Sequence, residues 1–511
     1  MNRGDDLMTA KMRILVIGAG VSGLTAIKAC KEENFDVVCY EKTGEFGGLW
    51  RYHDSDVDGL PSVMKSTISN SSKEMSAFSD FPPSSSFPTY MHHSTVLKYL
   101  EMYAEHFGLL GHITYYQEVV ELIPAEDYGT TGKWVVKIRD LHTNESREET
   151  FDGVMACIGH HAYPYTPSYS NMDLFSGRLM HSHTYKTFIG MEDKVVLVVG
   201  AGNSGADIAA EISNVAKKVY LSTRRGSWIF PRLFEKGKPM DICLHRRYKV
   251  LMPAKYFAKD IEKTLTEKMD HKRFGIKPYH PVTSQHPTVN DELQAKLLTG
   301  MVTVKRDIKE FSETGVIFVD EEETTPIDVV IFATGYQVKF PFLSDDILRV
   351  GKNNKVFLYK NVFPPQLKHH TLAVIGLIQP SGSLFPIFEM QTRWFVALMA
   401  RKCRLPSTET MLEDVKKTEG FRVRNFVQSP RHSVEVAWLP YIDEIAKMFG
   451  AKPNMAALFV KDPKLFKACF FGPCLPYQFR LNGPHKWDGA RDAILNYKGR
   501  MYDHLKTGPE K

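Results

Sequence analysis

Gly18-Ala19-Gly20-Val21-Ser22-Gly23 and Gly200-Ala201-Gly202-Asn203-Ser204-Gly205, 182 residues further on, are two copies of one glycine fingerprint. Each comes after a run of apolar β-formers, Ile14 to Ile17 and Val195 to Val199, and each opens a helix-like stretch. That strand–turn–helix context is what a dinucleotide site requires. The glycines let backbone approach a pyrophosphate, and the helix N-terminus faces its charge. A lone GxGxxG is weak; two in full context predict an α/β chain with two Rossmann-like dinucleotide-binding units.

The stretches downstream of the two copies differ in one chemically decisive way. In the first unit Val37-Val38-Cys39-Tyr40 reads as the second strand and ends at Glu41, 23 residues past Gly18. A carboxylate there accepts hydrogen bonds from ribose hydroxyls and repels a 2′-phosphate. In the second unit Val219-Tyr220-Leu221 leads to the matching position, Thr223, with Arg224 and Arg225 directly after it. A guanidinium beside that ribose suits a 2′-phosphate. The first site therefore reads as FAD or NAD, held by Gly18 to Gly23 and Glu41. The second reads as NADPH, held by Gly200, Gly202, Gly205 and Arg224. Glu45-Phe46-Gly47-Gly48-Leu49-Trp50 tips the first site toward FAD: the double glycine lets chain pass close to a flat ring, and Trp50 gives that ring an apolar wall. The bland readings are a solvated turn at Arg224-Arg225 and an ordinary turn with a core tryptophan at Gly44 to Trp50.

A second echo closes each unit. Asp152-Gly153-Val154-Met155-Ala156-Cys157-Ile158-Gly159 resembles Asp328-Val329-Val330-Ile331-Phe332-Ala333-Thr334-Gly335. Two such copies suggest crossing points between paired domains. At 511 residues the chain supports two or three domains. The reading is a first part of an FAD-binding domain over 1–164, an NADPH-binding domain over 165–330 with a helical insert at about 230–290, and a return to the FAD-binding domain with a tail over 331–511. Helices are expected around Leu24 to Cys30 and over 94–108. Strands are expected over 113–159, with a turn at Tyr128 to Gly132. Phe257, Ile261, Leu265 and Met269 repeat every four residues as a helix face in the insert.

Net charge is +6 from 65 basic and 59 acidic residues, dispersed, so nucleic acid is not a partner. Seven scattered cysteines fit a reducing compartment. Met1 to Lys11 has no apolar core of a signal peptide, and no apolar run approaches a membrane span. The adjacent pairs His92-His93, His160-His161 and His369-His370 lack spaced partners, so no metal site is expected.

The chain resembles the animal-type flavin-containing monooxygenases. Phe175-Ser176-Gly177-Arg178-Leu179-Met180-His181-Ser182-His183-Thr184-Tyr185 matches the FxGxxxHxxxY signature of that family. Thr67 to Glu74 matches its active-site stretch, and Phe471 to Cys474 with Trp487 to Arg491 matches its C-terminal block. The resemblance covers about residues 12–500. It implies hydride transfer from NADPH to FAD, oxygen activation as a flavin C4a-hydroperoxide, and attack on that oxygen by a soft nucleophile, an amine or a sulfide. Asn70 is the expected catalytic donor: its amide offers two N–H groups and does not titrate. Carried over with it as cofactor contacts are Ser69, Ser71, Gly48, Leu49, Trp50, Ser204, Ala206 and Asp207, while His181 is read as a packed histidine. The partners are then a small nucleophilic substrate and O₂, with peripheral membrane association and a homodimer left open. The resemblance implies the cytosolic face of the endoplasmic reticulum membrane. The polar end, Tyr502 to Lys511, lacks the apolar anchor of many relatives, and a natural lack of it implies the cytoplasm.

Other readings compete. A flavin disulfide reductase needs a redox cysteine pair near the flavin, and Cys469 and Cys474, spaced C-x₄-C, are far from the first glycine loop in sequence. Baeyer–Villiger oxygenation of ketones stays open, although Tyr185 stands where dedicated enzymes of that kind have Trp. The third is a non-catalytic redox sensor or NADPH-binding scaffold, against which Glu41, Asn70 and Arg224 argue, while an NADPH oxidase producing hydrogen peroxide stays open beside Baeyer–Villiger oxygenation.

Overall fold

A computed structural model describes residues 11–57, 59–429 and 433–506. The readings made of Met1 to Ala10 and Thr507 to Lys511 lie outside the described residues. Two five-stranded parallel sheets dominate the chain. In the first, the order is Leu372–Val374, Gly153–Ala156, Arg13–Ile17, Asp36–Tyr40 and Ile113–Thr114. In the second it is Arg178–His181, Val329–Phe332, Val195–Val199, Lys218–Ser222 and Val302–Lys305. Each sheet has the same plan. Each also takes one edge strand from beyond its own glycine unit: Leu372–Val374 comes after the second sheet in sequence, and Arg178–His181 comes before the strand that leads into the second glycine loop.

Alternation along the strands shows why the sequence folds this way. Ile14 and Val16 pack with Leu24 and Ile27 of the helix Val21–Glu32, whereas Leu15 and Ile17 pack on Trp134, Val136 and Ile138. The latter belong to an antiparallel meander, Gln117–Pro124, Trp134–Asp140 and Ser146–Phe151. In the second sheet Val196 and Val198 face Ala206 and Ile208 of the helix Asn203–Ile212, and Leu197 and Val199 face Phe311, Val316 and Phe318 of a smaller meander. Both faces are covered, so the strands read as unbroken apolar runs rather than alternating ones.

The closing echoes have a physical reason. Asp152 accepts a hydrogen bond from the N–H of Arg13 at 2.8 Å, and Asp328 accepts one from Val195 at 2.7 Å, each acid fixing the start of the central strand beside it. Beyond the echoes the chain crosses between sheets. There Tyr163–Pro164 and Tyr336–Gln337 pair as a short antiparallel ribbon. The expected helices run Val21–Glu32 and His93–His106, and the insert's helix runs Ala254–Lys268, with Ala258, Ile261 and Leu265 buried on its inner face. That face packs on Trp228, Phe230 and Met240, within the insert itself. No helix among the described residues is long and apolar enough to cross a membrane.

Candidate functional site

The two glycine loops are built to the same specification. Gly18 and Gly200 have φ of +97° and +109°, in the region that favours glycine. A Cβ on Gly18 would sit 2.9 Å from the carbonyl oxygen of Cys157, and one on Gly200 would sit 2.6 Å from that of Ala333. Cys157 and Ala333 hold equivalent places in the two echoes, so each echo's backbone packs on the first glycine of its own loop. A Cβ on Gly23 or Gly205 would come within 2.0 Å and 1.8 Å of the first glycine's carbonyl oxygen. Gly20 and Gly202 begin the helices without side-chain caps, so the first-turn amides stay free for a pyrophosphate.

Strand register makes the two ribose positions equivalent. Gly18 donates to the carbonyl of Tyr40 at 2.8 Å and Gly200 to that of Ser222 at 2.9 Å, and Glu41 and Thr223 are the next residues. Glu41 is buried. Its carboxylate accepts from the N–H of Ala19 at 2.8 Å and from the N–H and hydroxyl of Thr43 at 2.9 and 2.8 Å. These bonds hold the acid against the glycine loop and leave one lone pair, on Oε2, for a ribose hydroxyl. Thr223 instead caps a tight turn, its hydroxyl accepting from the N–H of Gly226 at 3.1 Å, and Arg224 and Arg225 stand exposed on that turn.

A cavity of about 300 Å³ joins Gly18, Gly20, Val21, Ser22, Glu41, Gly48, Leu49 and Trp50 to Cys157, Gly376, Leu384, Phe385 and Phe388. Its polar end has the loop, the helix N-terminus and an acid; its other end is apolar and aromatic, with Trp50 edge-on to Phe385 at 6.0 Å. That gradient fits FAD. The double glycine also serves a purpose the sequence did not show. Gly47 and Gly48 have φ of +114° and +54°, and a Cβ on Gly48 would lie 3.1 Å from Cα of Gly20. The turn thus packs directly on the pyrophosphate loop.

Ser69, Asn70 and Ser71 do not line this cavity. They lie where the active-site stretch meets the insert. The N–H of Ser72 donates to buried Asp241 at 2.7 Å and its hydroxyl does so at 3.0 Å; burial pushes that carboxyl up to about 6. Arg232, also from the insert, reaches the carbonyls of Ile68 and Ser69 at 3.3 Å each and Oδ1 of Asn70 at 3.0 Å, and it pairs with Asp291 at 2.9 Å. Because guanidinium only donates, the Asn70 atom facing it is the oxygen, and the NH₂ is left as the uncommitted group. Sequence reading missed Arg232, which lies 162 residues away with no local motif.

The other expected contacts divide between surface and core. Ser204 is exposed on the first turn of its helix, whereas Ala206 is fully buried in the core. Asp207 accepts from the amide of Asn290 at 2.6 Å, and burial pushes its carboxyl up to about 6. In the signature, Arg178–His181 is the edge strand of the second sheet, and the Tyr185 hydroxyl donates to Glu211 at 2.7 Å. Burial pushes the imidazole of His181 down to about 4, and its Nδ1 accepts from the N–H of His183 at 3.0 Å, a packed and neutral histidine. Cys469 and Cys474 are buried free thiols.

Two Rossmann-like units, one with a buried acid and the other with exposed arginines after the second strand, are the layout of a flavoprotein oxidoreductase that uses FAD and NADPH. The family model described as flavin-binding monooxygenase-like matches residues 11–510. Flavin-containing monooxygenase 5 of Cavia porcellus is 44% identical over 504 residues, covering 97% of this chain and 94% of that protein. Dimethylaniline monooxygenase [N-oxide-forming] 2 of Rattus norvegicus is 42% identical over 501 residues, 97% and 93% of the two chains. Among solved structures, the S-allyl-L-cysteine S-oxygenase of Allium sativum has the same fold, with a TM-score of 0.65 at 24% identity over 85% of this chain and 88% of that one. The chain belongs to the flavin-containing monooxygenase family and is an NADPH- and O₂-dependent enzyme.

Proposed function

We propose that the enzyme transfers one oxygen atom to soft nucleophiles, tertiary amines and sulfides, with Asn70 of the active-site stretch as the hydrogen-bond donor, a role carried over from the family because Asn70 itself does not line the FAD cavity. The observation that carries this is the Asn70–Arg232 contact, which commits the carboxamide oxygen and leaves a donor that cannot titrate. Bound FAD supplies the redox step, taking hydride from NADPH and activating O₂. The chain's residues bind, orient and exclude water. In this reading residues 1–164 and 331–511 hold FAD and residues 165–330 hold NADPH. Arg224 takes the 2′-phosphate, Gly200 to Gly205 the pyrophosphate, and Ser69, Ser71, Ser204 and Asp207 help seat the cofactors. The names of the relatives, one of them N-oxide-forming, agree with it.

Baeyer–Villiger oxygenation of ketones is the second reading. Arg232 favours it, because a cation beside Asn70 would support an anionic oxygen nucleophile. Both are tested by incubating the flavin-loaded enzyme with NADPH and, in turn, N,N-dimethylaniline, a dialkyl sulfide and a cyclic ketone. N-oxide and sulfoxide in step with NADPH consumption support the first reading; lactone or ester alone supports the second. Hydrogen peroxide with no oxygenated product rejects both in favour of an NADPH oxidase.

We also infer attachment to the cytosolic face of the endoplasmic reticulum membrane. Val250, Leu251 and Tyr256 of the insert and Phe459, Val460 and Phe471 of the tail are exposed, Leu251 by 75% and Val460 by 78%. The Tyr248 ring lies tilted against Phe471 at 6.0 Å, which joins the two groups, and Lys255, Lys461 and Lys464 flank them. Flotation with anionic vesicles, abolished by Leu251→Asp with Val460→Asp, checks it.

A further inference from the structure

A second cavity, of about 430 Å³, opens where the second sheet's nucleotide strand ends. Arg224 and Arg225 line it from the turn after Lys218–Ser222, and Arg306 lines it from the end of Val302–Lys305. The insert adds Gly275, Lys277 and Tyr279 to the wall, and Asp320 and Glu321 close another side. We propose that the insert completes the adenosine end of the NADPH site: Lys277 joins Arg224 on the 2′-phosphate, and Tyr279 supplies the face on which adenine stacks. This rests on the reading of Arg224 as the 2′-phosphate contact.

Charge is the first argument. Among the described residues none of Arg224, Lys277 and Arg306 is in an ion pair, and all three are exposed. The acids in the wall do not cancel them. Glu321 is already paired with Lys305, which leaves Asp320 alone against the cations. Uncompensated cations gathered on one concave surface at the nucleotide end of a Rossmann strand are what a dianionic phosphate needs.

Construction is the second argument. The insert segment is not a loose loop lying near the turn. Ser227 donates to the carbonyl of Ile276 at 2.9 Å. Gly226, with φ of +75°, permits that approach, since a Cβ there would come within 2.3 Å of the same oxygen. Trp228 donates from its indole to the carbonyl of His280 at 3.1 Å, and the N–H of Ile276 donates to the carbonyl of His271 at 3.0 Å. Lys277 therefore adjoins the residue clamped to the turn that bears Arg224. Tyr279 is 93% exposed although both neighbours along the chain are anchored or buried. A phenol ring in water beside a basic cavity matches the flat face of a purine.

The test is calorimetric titration of the intact flavin-loaded enzyme with adenosine 2′,5′-bisphosphate and with adenosine 5′-monophosphate, neither of which turns over. Wild type should prefer the bisphosphate by about tenfold or more. Lys277→Met should lose most of that preference and Lys277→Arg should keep it. Tyr279→Ala should weaken both ligands by a similar factor, and Tyr279→Trp should restore them. Each substituted position is exposed, and a thermal melt confirms that each variant folds. If wild type does not distinguish the two ligands, the 2′-phosphate reading of this cavity falls and the inference with it. If Arg224→Ala abolishes the preference while Lys277→Met and Tyr279→Ala bind like wild type, Arg224 stands and the inference alone is overturned.

Discussion

Replacing Asn70 by Asp changes one atom and tests the proposed chemistry directly. The carboxamide oxygen already lies 3.0 Å from Nη2 of Arg232, so the new carboxylate keeps that contact and turns it into an ion pair. At an effective dielectric near 20, unit charges about 4 Å apart attract by about 4 kcal/mol, enough to keep the new group ionised at neutral pH. It is then an acceptor only. Folding and flavin binding should survive, because shape and the Arg232 contact are kept. What is lost is the one neutral donor, and removal of a preorganised donor costs about 10²- to 10³-fold in rate. The assay measures NADPH oxidised, hydrogen peroxide released and N-oxide or sulfoxide formed on the same sample. The expected result is full flavin content, slow turnover, and most of the remaining NADPH appearing as hydrogen peroxide. Wild-type product per NADPH would refute the reasoning, reduce Asn70 to a turn residue, and leave Arg232 without a catalytic client.

Three further outcomes are expected. Gly205→Ala, whose Cβ would meet the Gly200 carbonyl oxygen at 1.8 Å, should weaken NADPH binding by about tenfold or more while flavin content is unchanged; titration with NADP⁺ reads it. Arg480→Met should destabilise by about 3–5 kcal/mol in chemical denaturation, because fully buried Arg480 bridges Glu32, Asp80 and Glu389 at 3.0, 2.9 and 3.1 Å, and its loss takes the ion pair from buried Glu389 and leaves Glu32 and Asp80 to share Lys28. Burial raises the Asp207 carboxyl to about 6, so its stabilising effect is complete below its ordinary 3.8 and is lost as pH rises through about 6. Asp207→Asn, neutral throughout, should match wild type in Tm near pH 4 and exceed it near pH 7; an equal Tm at both would reject that assignment.

Much of the fold was legible because parallel strands covered on both faces leave an uninterrupted apolar signature, and because glycine is required where backbone meets backbone. Ile14 to Ile17, Val195 to Val199 and both fingerprints are of this kind. The equivalence of Glu41 and Thr223 was legible because strand register places both directly after the second strand of their sheets. The helix around Leu24 to Cys30 was recognised but shortened, since Gly20 starts it at the loop itself and no polar cap announces the start. Gly48 was understood only in part: a flat ring accounts for an open face, but the approach of Gly20 is a contact between segments and has no periodic trace. Arg232 and Asp241 were missed for the same reason. They act from an insert whose composition says only that it is basic and aromatic, and their partners lie on other parts of the chain.

The strand Leu372–Val374 pairs with Gly153–Ala156 in the first sheet, and Arg480 seals a charge cluster on the helix that begins at Gly20. Both arrive late in synthesis. At about 5–20 residues per second a ribosome needs on the order of tens of seconds between the first strand and its last neighbour. For that interval the nascent first sheet carries an unpaired apolar edge, and Glu32 and Asp80 have only Lys28 as a cation, a state suited to chaperone capture. A stop codon between the second sheet and Leu372 would therefore do more than shorten the protein. It would leave every residue of the first glycine loop encoded but remove the last strand of the first sheet and the Gly376, Leu384, Phe385 and Phe388 wall of the cavity.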